Sequence, residues 1–229
     1  MNSRITDIVA DRPVFVLLHG KSIAELEQHV HKFGAGKICY VTVNNFSILE
    51  KHILSRINER FSIIHCHSVH GFQHRVGAIV DYLKRKDNNM LISTDIAIST
   101  FSTCYTNMVD EFRSKIWLIP SEKWKHYNTV LALLVALMEE EVKNVILFGD
   151  DGSVAPTVKL AKEGYYHNRE TWRSRGTETG ISGDTARFNR VWPAFNAAHN
   201  TCTRILNCSP GTHIKGIPEI AYGDLHKYI

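Results

Sequence analysis

The sequence predicts an α/β fold, a mostly parallel sheet with helices on both faces. Three observations predict it. Short β-branched apolar runs alternate with amphipathic stretches along most of the chain. The alternation recurs at about 25 to 30 residues, the length of stacked βα units. The runs are apolar throughout, as strands buried on both faces of a parallel sheet must be.

Val14 to Leu18 opens the series as a strand, and Ile23, Leu26, Val30 and Phe33 then recur at helical spacing. Lys37 to Val43 predicts a second strand, Phe46 to Ile57 a helix, Phe61 to His65 a strand, Val76 to Lys84 a helix and Met90 to Ser93 a strand. After a less regular stretch come the strand Ile116 to Ile119, a helix from about Asn128 to Glu141, and the strand Val145 to Phe148 running into Gly149-Asp150-Asp151-Gly152. From Ser153 to Asp184 no apolar period is sustained, and the stretch 153–184 reads as an insertion or lid. A helix from about Thr185 to His199 leads to the strand Thr203 to Asn207 and to Ser209-Pro210-Gly211-Thr212. The tail to Ile229 is expected to pack at its apolar points and to be loose elsewhere.

At 229 residues, 44% apolar and 22% charged, the composition is that of a folded domain and excludes a disordered or fibrous chain. One domain spanning 1–229 is expected. A net charge of +4 is too small to imply a nucleic-acid partner. The longest apolar run, Val130 to Met138, falls far short of the roughly 20 residues of a membrane span. Met1 to Pro13 lacks the apolar core of a secretory signal, so the cytoplasm is the expected compartment. The five cysteines form no CxxC pair and are odd in number, which predicts core thiols rather than a zinc ribbon or a disulfide framework.

Ligands of open parallel sheets sit outside the carboxyl ends of the strands, which singles out the residues just after each strand. His19-Gly20-Lys21-Ser22 has Phe15 where a phosphate loop needs its first glycine, so it is not a Walker A motif. It reads as a tight turn at Gly20 with Ser22 capping the helix, either facing an anion or acting only as a cap. Asp150 and Asp151 between Gly149 and Gly152 could hold Mg²⁺ on a diphosphate or accept from a sugar hydroxyl, though Asp and Gly also make plain surface turns. His65, His67, His70 and His74 offer imidazoles for a pocket or a metal without an acidic co-ligand in the run. Arg169, Arg173, Arg175, Arg187 and Arg190, among Tyr165, Tyr166, His167 and Trp172, could clamp phosphates or form a solvated charged loop.

Together these segments resemble the MptE-like family, which includes 6-hydroxymethylpterin diphosphokinases, motility-associated Maf glycosyltransferases and, more distantly, sialyltransferases of the Campylobacter type. The resemblance covers most of the chain. Leu18-His19-Gly20-Lys21-Ser22-Ile23 is similar to the family's Gly-x-Gly-Pro-Ser-Leu turn, keeping the second glycine and the serine. Asn44 matches an asparagine that contacts the nucleotide, Thr129 a small hydroxyl residue at the nucleotide site, and Gly149-Asp150-Asp151 the Gly-x-Asp strand end. Asn207, Ser209 and Gly211 match the Asn-x-Ser-x-Gly stretch before the C-terminal region. The histidine that such sialyltransferases carry before the last helix is absent from Gly180 to Asp184, and Thr94-Asp95 keeps only the first half of the pterin enzymes' Thr-Asp-Leu-Asp-Gly motif.

The resemblance implies a Rossmann-like transferase using a nucleotide or nucleotide-sugar, a glycosyltransferase of surface-glycan synthesis first. Phosphates would meet Gly20 and Ser22, and the ribose or base would meet Asn44, Thr129 and Ser209. Asp151 would hold a hydroxyl or Mg²⁺, and Arg173 or Arg175 would stabilise the departing phosphate. His67, His167 and Asp150 are the rival general bases, with Asp150 preferred. The alternatives are a Mg²⁺- and ATP-dependent diphosphokinase pairing Asp95 with Asp150 or Asp151, and an inactive nucleotide-binding homologue. The implied partners are a nucleotide donor and a glycan or small-alcohol acceptor; self-association is left open.

Overall fold

The structure is a computed structural model that describes residues 9–18, 22–33, 36–43, 61–66, 81, 83–84, 89–93, 111–119, 129–150, 183–198, 202–209 and 211–229. Its strands are β1 (Val14–Leu17), β2 (Cys39–Val43), β3 (Phe61–Cys66), β4 (Asn89–Ser93), β5 (Ile116–Ile119), β6 (Asn144–Phe148) and β7 (Arg204–Asn207). They form one seven-stranded sheet in the order β5-β4-β3-β2-β1-β6-β7, and every pairing is parallel. The fold is therefore α/β and Rossmann-like, as the alternation predicts. The insertion expected at 153–184 falls almost wholly outside the described residues, as do the helices expected at 46–57 and, but for residues 81, 83 and 84, at 76–84.

Strand order reverses between β1 and β6. From β1 the chain runs outward through β2, and from β6 it runs outward the other way to β7. One crossover hand for opposite directions requires covering helices on opposite faces, and the packing obeys this.

On one face Val14, Val16, Cys39, Val41, Val43, Val145, Leu147 and Ile205 pack against α2 (Thr129–Glu139) and α3 (Gly183–Ala198). α2 carries Leu131, Leu133, Leu134, Val135, Leu137 and Met138, all buried, so it is apolar nearly all round and belongs inside. It stops at Glu139 rather than Glu141. Glu141 takes φ +54°, and the N–H groups of Glu141 and Val142 turn back to the carbonyls of Met138 and Leu137 at 3.0 Å each, a Schellman ending with glutamate in the position that favours glycine. α3 buries Thr185, Phe188, Trp192 and Phe195 at three- and four-residue spacing, with the Phe188 and Trp192 rings stacked 5.3 Å apart.

On the other face Phe15 meets Phe33, Tyr40 and Phe148, with ring centroids 5.6, 5.8 and 4.7 Å away. α1 (Ile23–His29) covers this face through Ile23 and Leu26, followed by the 3-10 turn Val30–Lys32. The C-terminal segment completes it. Tyr222 and Leu225 of the 3-10 turn Tyr222–Lys227 are buried, and Tyr222 stacks on His29 and touches Phe148.

The tail is thus not loose. Asn207 donates its N–H to the Pro218 carbonyl and accepts from the Ile220 N–H, both at 2.9 Å, joining the segment to the exposed edge of β7. Trp192 Nε1 donates to the Gly216 carbonyl at 3.1 Å. Cys39 and Cys208 are buried as expected, but Cys202 is exposed, because it precedes β7 in a surface turn.

Candidate functional site

A sheet whose strand order reverses opens a crevice where the chains leaving two neighbouring strands turn to opposite faces. Here those strands are β1 and β6, with Leu17 opposite Phe148. The ladder's last bond runs from the Leu18 N–H to the Phe148 carbonyl at 2.9 Å. β1 is followed in the chain by α1 and β6 by α3, and the two helices lie on opposite faces of the sheet.

On the β6 side Gly149 takes φ +72°, a left-handed conformation that favours glycine and turns the chain sharply into Asp150. Hydroxyls from beyond β7 then hold the Asp150 backbone. Its N–H donates to Ser209 Oγ at 2.8 Å, and its carbonyl accepts from Thr212 Oγ1 at 2.6 Å. Thr212 Oγ1 accepts in turn from Asn207 Nδ2 at 3.2 Å and from the Ile214 N–H at 3.1 Å. One donated and two accepted bonds use the whole capacity of a hydroxyl. Gly211 supplies the bend between these residues with φ +67°; a Cβ there would meet open space, so the backbone conformation rather than crowding calls for glycine.

Asn207 and Ser209 are fully buried, and their side chains tie the two turns together. Asn207 Oδ1 has no hydrogen-bond partner among the described residues, nor has the buried Oγ1 of Thr42 on β2, the register partner of Leu17. Cys208, between Asn207 and Ser209, is no nucleophile. Burial, then Glu25 and Glu219, push its thiol up to about 12, so it stays protonated.

On the β1 side Ser22 does not cap α1. Its backbone is already helical, at φ −61° and ψ −18°, and no side-chain cap bond forms, whereas a capping serine needs an extended backbone to reach the free N–H groups. Its carbonyl instead accepts from the Glu25 N–H at 3.1 Å and from the Tyr222 hydroxyl at 3.2 Å. Thr129 is the first residue of α2, and the short 140–143 connection folds that helix back so that it starts toward the carboxyl ends of the strands.

The structure thus brings Ser22, Gly149, Asp150, Asn207, Ser209 and Gly211 to one end of the sheet. Gly20, Asn44, His67, Asp151 and Arg173 lie outside the described residues. Arg187 and Arg190 are exposed on α3, beyond the segment 153–184. Sequence reasoning missed Thr212 and Tyr222. Thr212 ends the Ser209-Pro210-Gly211-Thr212 turn with nothing in its residue type to mark its bond, and Tyr222 lies in a tail with no period to mark it. Among the described residues no group of three or more His, Cys, Asp or Glu side chains could hold a metal ion. No helix among them is long and apolar enough to cross a membrane.

The fold of the chain is similar to that of the sialyltransferase CstII from Campylobacter jejuni. The CstII structure with cytidine-5'-monophosphate (CMP), described as a substrate analogue, matches with a TM-score of 0.56 at 10% identity, covering 92% of this chain and 85% of that one. The structure with CMP-3FNeuAc gives 0.56 at 10%, covering 92% and 86%. The structure with a trisaccharide acceptor and CMP gives 0.54 at 10%, covering 90% and 86%. At this identity the likeness is one of fold. No protein-family profile and no curated protein matches the chain.

Proposed function

We propose that this chain is a nucleotide-sugar-dependent glycosyltransferase whose donor binds at the reversal point between β1 and β6. The observation that carries the reading is the reversal of strand order at β1 and β6, with the left-handed turn at Gly149 beside it, the place where open parallel sheets bind their ligands. The likeness of the whole fold to an enzyme solved with CMP and with CMP-3FNeuAc supports it. Membership of the MptE-like family, a single domain over 1–229, action in the cytoplasm and a role in surface-glycan synthesis belong to the same proposal.

In the reaction the acceptor hydroxyl oxygen attacks the anomeric carbon. The bond from that carbon to the phosphate oxygen breaks, the nucleotide leaves with the electron pair, and the hydroxyl proton passes to a base. Asp150, half-buried at the crevice, is assigned that proton, with His67 as its rival. Gly20 and Ser22 receive the phosphates, Asn44, Thr129 and the 207–211 turn the nucleoside, Asp151 a sugar hydroxyl, and Arg173 the charge on the departing phosphate.

Thermal denaturation with CMP, CMP-, UDP- and GDP-sugars and ATP, each with Mg²⁺ or EDTA, tests the reading. A cytidine nucleotide or nucleotide-sugar is expected to raise the melting point, since a ligand at 100 times its Kd stabilises by about 2.7 kcal/mol. A shift with ATP and Mg²⁺ alone would favour the diphosphokinase, and no shift with any nucleotide would overturn the proposal.

A further inference from the structure

We infer that Thr212 is a positioning residue that aims the Asp150 carboxylate at the reacting atoms; the inference rests on the transferase reading above. β6's ladder ends at Phe148, and the left-handed turn at Gly149 carries Asp150 past the sheet. Two hydroxyls hold its backbone there, Ser209 Oγ at its N–H and Thr212 Oγ1 at its carbonyl, from 59 and 62 residues away in sequence. With N–H and carbonyl both fixed, the direction of the Asp150 Cα–Cβ bond is set, and the carboxylate, whose Oδ2 is buried, turns from it only about χ1 and χ2.

Thr212 is the pivot of this arrangement. Its single proton goes to the Asp150 carbonyl, and its lone pairs are taken by Asn207 Nδ2 and the Ile214 N–H, so the hydroxyl cannot rotate without breaking all three bonds. Asn207 is fully buried and its backbone is bonded on both sides by the C-terminal segment. The aim of Asp150 is therefore set by β7 and the C-terminal segment rather than by its own strand. Misplacing a catalytic group by a fraction of an ångström to an ångström lowers rate far more than affinity, on the order of tenfold to a hundredfold.

The test compares the full chain with Thr212→Val, which keeps the shape without the hydroxyl, and Thr212→Ser, which keeps the hydroxyl. Three readouts are taken: hydrogen exchange at the Asp150 amide, affinity for CMP, and nucleotide release from CMP-, UDP- and GDP-sugars with water in place of the acceptor. The expected result for Thr212→Val is faster exchange at Asp150 and nucleotide release slowed by about tenfold or more at saturating donor, a larger loss than that in CMP affinity. Thr212→Ser is expected to restore both. Unchanged exchange in Thr212→Val overturns the inference and leaves the transferase reading intact, and so does unchanged release. A wild-type chain that binds no CMP and releases no nucleotide is the distinct failure of the transferase reading, and the positioning role falls with it.

Discussion

The two faces of the sheet are built differently. One is aliphatic, with valines and leucines under two regular helices, and its aromatic rings come from α3. The other is aromatic, with Phe15, Phe33, Tyr40 and Phe148 under one short helix and a C-terminal turn. The aliphatic face is closed by two helices, with Ile214 and Ile217 of the C-terminal segment in the same cluster, whereas the aromatic face is finished only when Tyr222 reaches back to the Ser22 carbonyl 200 residues away. The candidate site lies where these two modes of closure meet, so the C-terminal segment sets its shape from both sides.

The largest effect expected from breaking this comparison is on the aliphatic face. Trp192→Ala removes a fully buried indole stacked between Phe188 and Phe195 and its bond to Gly216, and should cost about 3–5 kcal/mol in urea unfolding. The aromatic face is probed by pH. Burial raises the Tyr40 hydroxyl and, with Glu25 and Glu219, the Cys208 thiol, from 9.0 to about 12. The unfolded thiol ionises first, so stability is complete below about pH 9 and falls as pH rises toward 12, with a limiting slope of about 1.4 kcal/mol per pH unit for each proton. Cys208→Ala should flatten the fall in urea midpoint between pH 8 and pH 10.

Tyr222→Phe keeps the ring on His29 and Phe148 but removes the hydroxyl's bond to Ser22, at an expected cost of about 1 kcal/mol in the same assay. Glu141→Gly works in the opposite direction. It relieves a left-handed glutamate at the end of α2 and should stabilise by about 1 kcal/mol.

These residues also show what could be read from the chain alone. The apolar runs that announce β1 to β7 are continuous and bounded by polar residues, and each forms its strand to within about two residues. α2 and α3 declare themselves by apolar density and by the Phe188, Trp192, Phe195 spacing. The strand-end rule led to Gly149, Asp150, Asn207 and Ser209 because that rule depends on strand direction alone.

What was not legible depends on long-range closure. Ser22 has the residue type of a cap, but its backbone dihedrals decide against it. Thr212 and Tyr222 act through single hydroxyls on distant carbonyls, and no period or spacing encodes such a bond. Glu141 ends α2 in a conformation that its residue type argues against.

The central claim is that a nucleotide binds where β1 and β6 diverge. Hydrogen exchange of the full chain with and without saturating CMP tests it most directly. The account predicts slower exchange in the two turns, residues 17–25 and 148–150, with the sheet's opposite end unchanged. Protection confined to the opposite end of the sheet, or none at saturating CMP, would contradict it.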